Sequence, residues 1–417
     1  MRRLWITLLL LLPGPLFAAA DPVVSATGPD ALLYGALQNY PIGGRGAPAQ
    51  MAMVGTYSHY DRIWPFHRVA KAASPAELRR ASEEIAPTYP FRGATHTLGD
   101  YLAHNPVTGL LIARDDTILF EHYQYGRTDQ DRLLSQSMAK TIVAMLIGVA
   151  IGEGRIRSVD DLAQTYVPAL AGTAFGQTSL RALLHMASGV AFREDYTDPS
   201  ADNAKLSRVL FGQSGYDTAH AVAMFDTREA LPDTHFNYGG VQTEVLGLVL
   251  THAVGMSPAA YLQSRIWQPM GAEADATWTV DHSGQEVAYC CFSAVLRDWA
   301  RLGLLLAHDG AIGGHQIIPR QWLLDATTAP PDSPFSPRRA TPSMGYGYQV
   351  WLFPGSRRQF SLLGIHGQSI YVDPGARLVM VQTAVRVSAA GERAEANALW
   401  DALVARYGAG ADAASAR

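Results

Sequence analysis

Two residue types are scarce in this chain. Cysteine occurs only as the adjacent pair Cys290 and Cys291, and lysine only as Lys71, Lys140 and Lys205, against thirty arginines. Neighbouring cysteines close no loop, so no disulfide framework holds the fold together. They are expected as two small, half-buried thiols, a strained vicinal disulfide being the alternative in an oxidising compartment. No basic stripe interleaved with aromatics occurs, and formal charge is −4, or −6 without Arg2 and Arg3; nucleic acid is therefore not an expected partner. Gly-x-Ser-x-Gly, His-Glu-x-x-His and spaced cysteine pairs are all missing. Their absence argues against an α/β-hydrolase elbow and implies no metal or other cofactor.

What is present begins at the N-terminus. Arg2 and Arg3 precede an apolar stretch from Leu4 to Phe17, broken by Pro13-Gly14-Pro15 and followed by Ala18-Ala19-Ala20. This three-part pattern is that of a secretory leader, expected to end near residue 20. The stretch is short for a membrane span and no cysteine follows it for a lipid anchor. A periplasmic or secreted location follows, with no stable membrane anchor once the leader is gone.

The chain has 417 residues, 48% of them apolar, enough for a large core and too many for one minimal domain. Residues 21–95, rich in Pro, Gly and Ala, read as an N-terminal arm, and residues 96–410 as the main domain. Leu110–Arg114 and Thr117–Phe120 flank Asp115-Asp116 as strand, turn, strand. Thr141 to Ile151 reads as a buried helix ended by Gly152 and Gly154. Helices are expected over Ser179–Ala187, Val241–Val254, Pro258–Trp267 and Ser293–Ala307. A proline-rich loop at 329–342 comes next. Strands are expected over Gly347–Phe353, Ser369–Val372 and Leu378–Val385, and a closing amphipathic helix over Glu392–Tyr407. Strands at both ends with helices between predict an α+β fold: an antiparallel sheet flanked by terminal helices, with a mostly helical lobe inserted at about 141–340.

The scarcity of lysine makes Lys140 notable, because it opens the most apolar helix of the chain beyond the leader. An ammonium in apolar surroundings gives up its proton more readily. Ser137 lies three residues earlier, on the same helical face. A serine hydroxyl is a weak nucleophile until a neighbouring base takes its proton. At a helix N-terminus, its backbone N–H also faces developing negative charge.

Five segments extend this pair: 135–141 (SQSMAKT), 183–189 (LLHMASG), Glu194-Asp-Tyr196 with Asp198-Pro199, Phe236-Asn-Tyr238 with Leu246-Gly247, and 364–374 (GIHGQSIYVDP). Their order and spacing resemble the serine β-lactamase and penicillin-binding superfamily, in particular its class C-like esterase and 6-aminohexanoate-dimer hydrolase branch, over roughly residues 100 to 390. The resemblance implies a β-lactamase/transpeptidase-like fold and an acyl-enzyme on Ser137. It further implies Lys140 and Tyr238 as acid–base partners, and an oxyanion hole from the N–H groups of Ser137 and Ile365. Tyr196, Gly364 and His366 are its candidates for substrate binding.

The chain departs from that pattern in two places. Tyr238-Gly239-Gly240 stands where class C lactamases carry Tyr-x-Asn, and no Lys-Thr-Gly occurs. The expected activity is therefore hydrolysis of carboxylic esters or small amides by a monomer or homodimer. A β-lactamase or D-alanyl-D-alanine peptidase is the second reading, and a non-catalytic penicillin-binding-like sensor the third.

Overall fold

A computed structural model describes residues 25–212, 215–388 and 393–408. The leader at 1–20 and Glu392 of the closing helix lie outside them.

Eight strands form the central sheet: β1 (Arg79–Arg80), β2 (Val107–Arg114), β3 (Thr117–Tyr123), β4 (Gly345–Tyr346), β5 (Trp351–Leu352), β6 (Phe360–Gly364), β7 (Gln368–Asp373) and β8 (Leu378–Ala384). Their spatial order is β4-β5-β6-β7-β8-β2-β3-β1. The C-terminal strand β8 thus pairs antiparallel with β2, Val381 opposite Leu111. Only β1, from the N-terminal arm, runs parallel to its neighbour β3.

Five helices define the layers around the sheet and the cleft: α1 (Leu98–His104), α2 (Ala139–Gly152), α3 (Gly240–Val254), α4 (Leu296–Ala307) and α5 (Ala394–Gly408). Side-chain alternation along the strands divides the core. Leu110, Ile112, Leu378, Met380 and Tyr371 face one way, toward α1 and α5 with Trp400 and Leu403. Leu111, Ala113, Val379, Val381 and Ile370 face the other way, into the main core with α4. Burying each such side chain is worth about 1.5–3 kcal/mol. The sheet is therefore covered on both faces. Helix α4 packs on strands β2, β7 and β8, so it belongs to the sheet and not to the inserted helical lobe.

Helix α2 is buried on every side, as a helix apolar all round must be. Its neighbours are α3 and the 3-10 turn Gln136–Met138 that leads into it. Gly148 lies so close to the Trp322 indole that a Cβ there would sit 2.3 Å from the ring. Among the described residues no single helix is long and apolar enough to cross a membrane.

A second sheet, ordered Phe66–Val69, Ala276–Thr279, Phe292–Ala294, Leu133–Leu134, joins distant parts of the sequence. The stretch from residue 25 to 95 contributes to both sheets and buries Val54 and Val69 completely. Two sequence expectations fail here. Ser293 and Ala294 are not helical: they pair with Leu134 and Leu133 across the second sheet, and the helix starts only at Leu296. Tertiary pairing overrides the helical period. Gly347–Phe353 is not one strand either. Gln349 adopts φ 58°, turning the chain between β4 and β5. Its amide then reaches inward, donating to the Leu183 and Leu184 carbonyls and accepting from Thr243 Oγ1.

Candidate active site

Leu133–Leu134 delivers the chain to Ser135, whose N–H donates to Phe292 O at 2.7 Å and whose Oγ accepts from Phe292 N at 3.1 Å. This double clamp fixes the start of the Ser137 turn against the segment that follows Cys291. The residue between, Gln136, has φ 45°. That left-handed conformation is costly for a residue with a Cβ. It turns the chain sharply just before Ser137.

Ser137 is 8% exposed and Lys140 only 1%. Lys140 Nζ donates to Ser137 Oγ at 2.9 Å and to the Tyr289 carbonyl at 3.1 Å. The ammonium also faces two rings, 4.9 Å from the Tyr238 centroid and 5.2 Å from that of Tyr289. Among the described residues it has no carboxylate within ion-pair distance. Two ring faces, a carbonyl and a hydroxyl are what hold this buried cation.

Tyr238 lies on the loop before α3. Its ring stacks on Trp351, 5.6 Å between centroids, and packs edge-on to Tyr346 at 6.0 Å. Its hydroxyl has no hydrogen-bond partner among the described residues. The structure thus brings Ser137 and Tyr238 together in one cleft of about 430 Å³, with Tyr196, Gly364 and Ile365 on its walls and Lys140 buried behind Ser137.

Gly364 ends β6 beside the serine turn. A Cβ there would fall 2.5 Å from Ser135 O and 2.9 Å from Gln136 Cβ. Glycine is what lets the strand approach, bringing Ile365 to the cleft. His366 does not line it. Its Nδ1 donates to Arg386 O at 2.6 Å and its ring packs edge-on against Tyr57, 5.6 Å away. Burial lowers its pKa, favouring the neutral ring.

Tyr196 is 44% exposed, and its hydroxyl donates to Glu194. Burial first, and then the Glu194 charge, raise the phenol well above its ordinary range. The other Glu194 oxygen accepts from Gly240 N, tying the Tyr196 loop to the first residue of α3. A carboxylate is favourable at that helix end.

Several neighbours of the site were not singled out by sequence. Tyr289 supplies the carbonyl under Lys140. Glu244, fully buried on α3, accepts from Tyr289 N at 3.2 Å, while its second oxygen has no partner. Burial pushes this carboxyl up to about 8. Cys290 and Cys291 follow directly and are joined in a vicinal disulfide, which corrects the expected pair of thiols. Closure is local: adjacent residues bring the two sulfurs together, and Cys291 takes φ 70° to do so. Arg393, at the foot of α5, also lines the cleft. Only the glutamate in Glu194-Asp-Tyr196 had a sequence signal, as part of a motif.

One cluster elsewhere has metal-ligating types. His96, His104 and Glu395 bring their ligand atoms within 4.8 Å of one another beside α1. Glu395, however, already accepts from Tyr89 and Asn105, and meets His104 Nδ1 at 3.0 Å. These contacts occupy both of its oxygens in a hydrogen-bond network.

Comparison with known proteins matches this architecture. The Beta-lactamase family model matches residues 95–405. A 6-aminohexanoate-dimer hydrolase of Paenarthrobacter ureafaciens is 28% identical over 322 residues, covering 74% of this chain and 79% of the relative. A Bacillus anthracis structure provisionally named a 6-aminohexanoate-dimer hydrolase superposes with TM-score 0.76 at 23% identity, covering 85% of this chain and 94% of that one. A D-stereospecific amidohydrolase from Streptomyces sp. gives TM-score 0.53 at 19% identity, covering 71% and 94%. The chain belongs to the β-lactamase family, on the side of its 6-aminohexanoate-dimer hydrolase-like members, and is a hydrolase of small carboxylic substrates.

Proposed function

We propose that the protein hydrolyses carboxylic esters or small amides through an acyl-enzyme on Ser137. The observation that carries this reading is the 2.9 Å contact between Lys140 Nζ and Ser137 Oγ inside the cleft that Tyr238 also lines. Tyr238, beside the Lys140 ammonium, takes the Ser137 proton as Oγ attacks the substrate carbonyl. The N–H groups of Ser137 and Ile365 are assigned to the oxyanion. Tyr238 then returns the proton to the leaving alcohol or amine, and water clears the acyl group by the same route.

Missing the Tyr-x-Asn amide and the Lys-Thr-Gly lysine, the cleft has few of the groups that orient a β-lactam. Ester and small-amide chemistry needs only nucleophile, base and oxyanion donors. The leader pattern at 1–20 supports export, and the relatives' names make a short amide a natural trial substrate. The deciding experiment is Ser137→Ala. Turnover of a p-nitrophenyl ester and labelling by a fluorophosphonate probe should both vanish from a folded protein; persistence of either rejects the assignment.

A further inference from the structure

Glu395, in the first turn of α5, meets two histidines from the other end of the chain. His104 ends α1. His96 stands on the strand Ala94–Thr97, directly opposite Tyr89 on its hairpin partner Thr88–Phe91. Each of the three offers a ligand atom within 4.8 Å of the other two. Two imidazoles and one carboxylate at that spacing are a donor set suited to zinc.

The residues around the cluster supply the support that metal ligands need. A ligating carboxylate is itself hydrogen-bonded, and ligating rings are held in orientation by their neighbours. Tyr89, fully buried, serves both ends. Its hydroxyl donates to Glu395 Oε1 at 2.9 Å, and its ring stacks on His96 with 5.6 Å between centroids. Asn105, also buried, donates to Glu395 Oε2 at 3.0 Å and to Tyr101 O at 2.9 Å. His96 Nε2 contacts the Phe91 carbonyl at 3.2 Å.

This network admits an ion and gains from one. A carboxylate offers about four lone-pair sites, so the bonds from Tyr89, Asn105 and His104 leave room for a metal. His104 Nδ1 meets Oε1 at 3.0 Å, and the proton between them is the one a metal displaces. Among the described residues His96 has no hydrogen bond to His104 or Glu395, only an edge-on ring contact with His104 at 5.4 Å. An ion between the three would give it a partner. The His104 side chain is 47% exposed, which opens a path from solvent.

We propose that His96, His104 and Glu395 bind one zinc ion, which clips the first turn of α5 to α1 and to the hairpin before it. None of the three lines the cleft, whereas Ala394 and Asn397, on either side of Glu395, do. The ion would therefore brace the cleft wall without touching substrate. The site is assembled from three separate elements, and no spaced-ligand motif marks it.

Calorimetry on tag-free protein, stripped with a chelator and dialysed, tests this. Zinc chloride should bind one ion per chain with a Kd of at most about 10 μM. At a hundred times Kd, zinc should raise the melting temperature by roughly 3–5 °C. Magnesium and calcium, which take oxygen ligands, should not. His96→Ala and His104→Ala should each weaken binding at least about tenfold and cancel the thermal shift, and Tyr89→Phe should weaken binding about tenfold. His220→Ala, which breaks a surface pair with Asp217, should leave binding unchanged.

Binding weaker than that limit overturns the proposal, as does a Kd unaltered in both His96→Ala and His104→Ala. Should those variants fail to fold, diethyl pyrocarbonate decides on the unmodified sequence. Zinc should shield His96 and His104 from labelling, read by peptide mass, and equal labelling with and without zinc rejects the site.

Discussion

The carboxyl of Glu244, at the heart of α3, accepts the backbone N–H of Tyr289 at 3.2 Å. The carbonyl of the same residue accepts from Lys140 at 3.1 Å. One peptide segment thus links a buried acid to the cation that holds Ser137. Burial pushes Glu244 up to about 8, from an ordinary value of 4.5. Between these values the folded protein keeps a proton that the unfolded chain has released.

Stability should therefore fall as pH rises from about 4.5 to 8 and level off above, because the native state binds more protons across that window. The fall should be on the order of 5 °C in melting temperature. Glu244→Gln keeps an acceptor for Tyr289 N and removes the titration. Its melting temperature should vary far less across the window and exceed that of the wild type at pH 8. Melting curves at half-unit pH steps give the answer.

Replacing Lys140 by Met removes the donor to Ser137 Oγ while filling similar volume among the Tyr238 and Tyr289 rings. Removing a positioned proton-transfer partner costs about 10²- to 10⁴-fold. The loss should fall on kcat, with KM changed little, since Lys140 is 1% exposed and touches the nucleophile. Tyr238→Phe should show a loss of the same order with its ring stacking intact. A normal burst of p-nitrophenol followed by slow turnover in either variant would place the defect in deacylation alone.

The pairing of Ser137 with Lys140 was legible because it is local: three residues on one helical turn, with lysine otherwise nearly absent. So were the alternating strands β2 and β3 and the buried helix α2, whose patterns need no distant partner. Tyr289 and Glu244 come to Lys140, and Arg393 to the cleft, only through the second sheet, the packing of α3 and the placement of α5. No short-range pattern marks them. The same reason accounts for the strand at Ser293–Ala294, where pairing with Leu133–Leu134 outweighs helical spacing, and for the turn at Gln349, whose amide is drawn into the core.

Oxidation of the cysteine pair is directly measurable. The peptide spanning Cys290 and Cys291 should weigh two daltons less before reduction than after it. Because the pair follows Tyr289, whose carbonyl accepts from Lys140, treatment with a phosphine reductant should lower kcat by about two- to tenfold, the modest effect of a shifted positioning group. A reduced enzyme with unaltered kcat would show that the second sheet holds the segment without help.

Gly364 gives the sharpest steric test. A Cβ would fall 2.5 Å from Ser135 O, a backbone atom of the residue that Phe292 clamps through its N–H and Oγ. Neither partner can turn away as a flexible side chain would, so in Gly364→Ala the strand itself must retreat from the serine turn. Ile365 N–H would move with it. An oxyanion donor displaced by a few tenths of an ångström loses much of its value, and loss of one such donor costs about 10²- to 10³-fold in kcat. Gly364→Ala should therefore fold, still be labelled slowly by a fluorophosphonate at Ser137, and turn over p-nitrophenyl esters at least tenfold more slowly. Full activity would mean that the strand's close approach to Ser135 does not position the donor, and the oxyanion hole would have to be sought elsewhere.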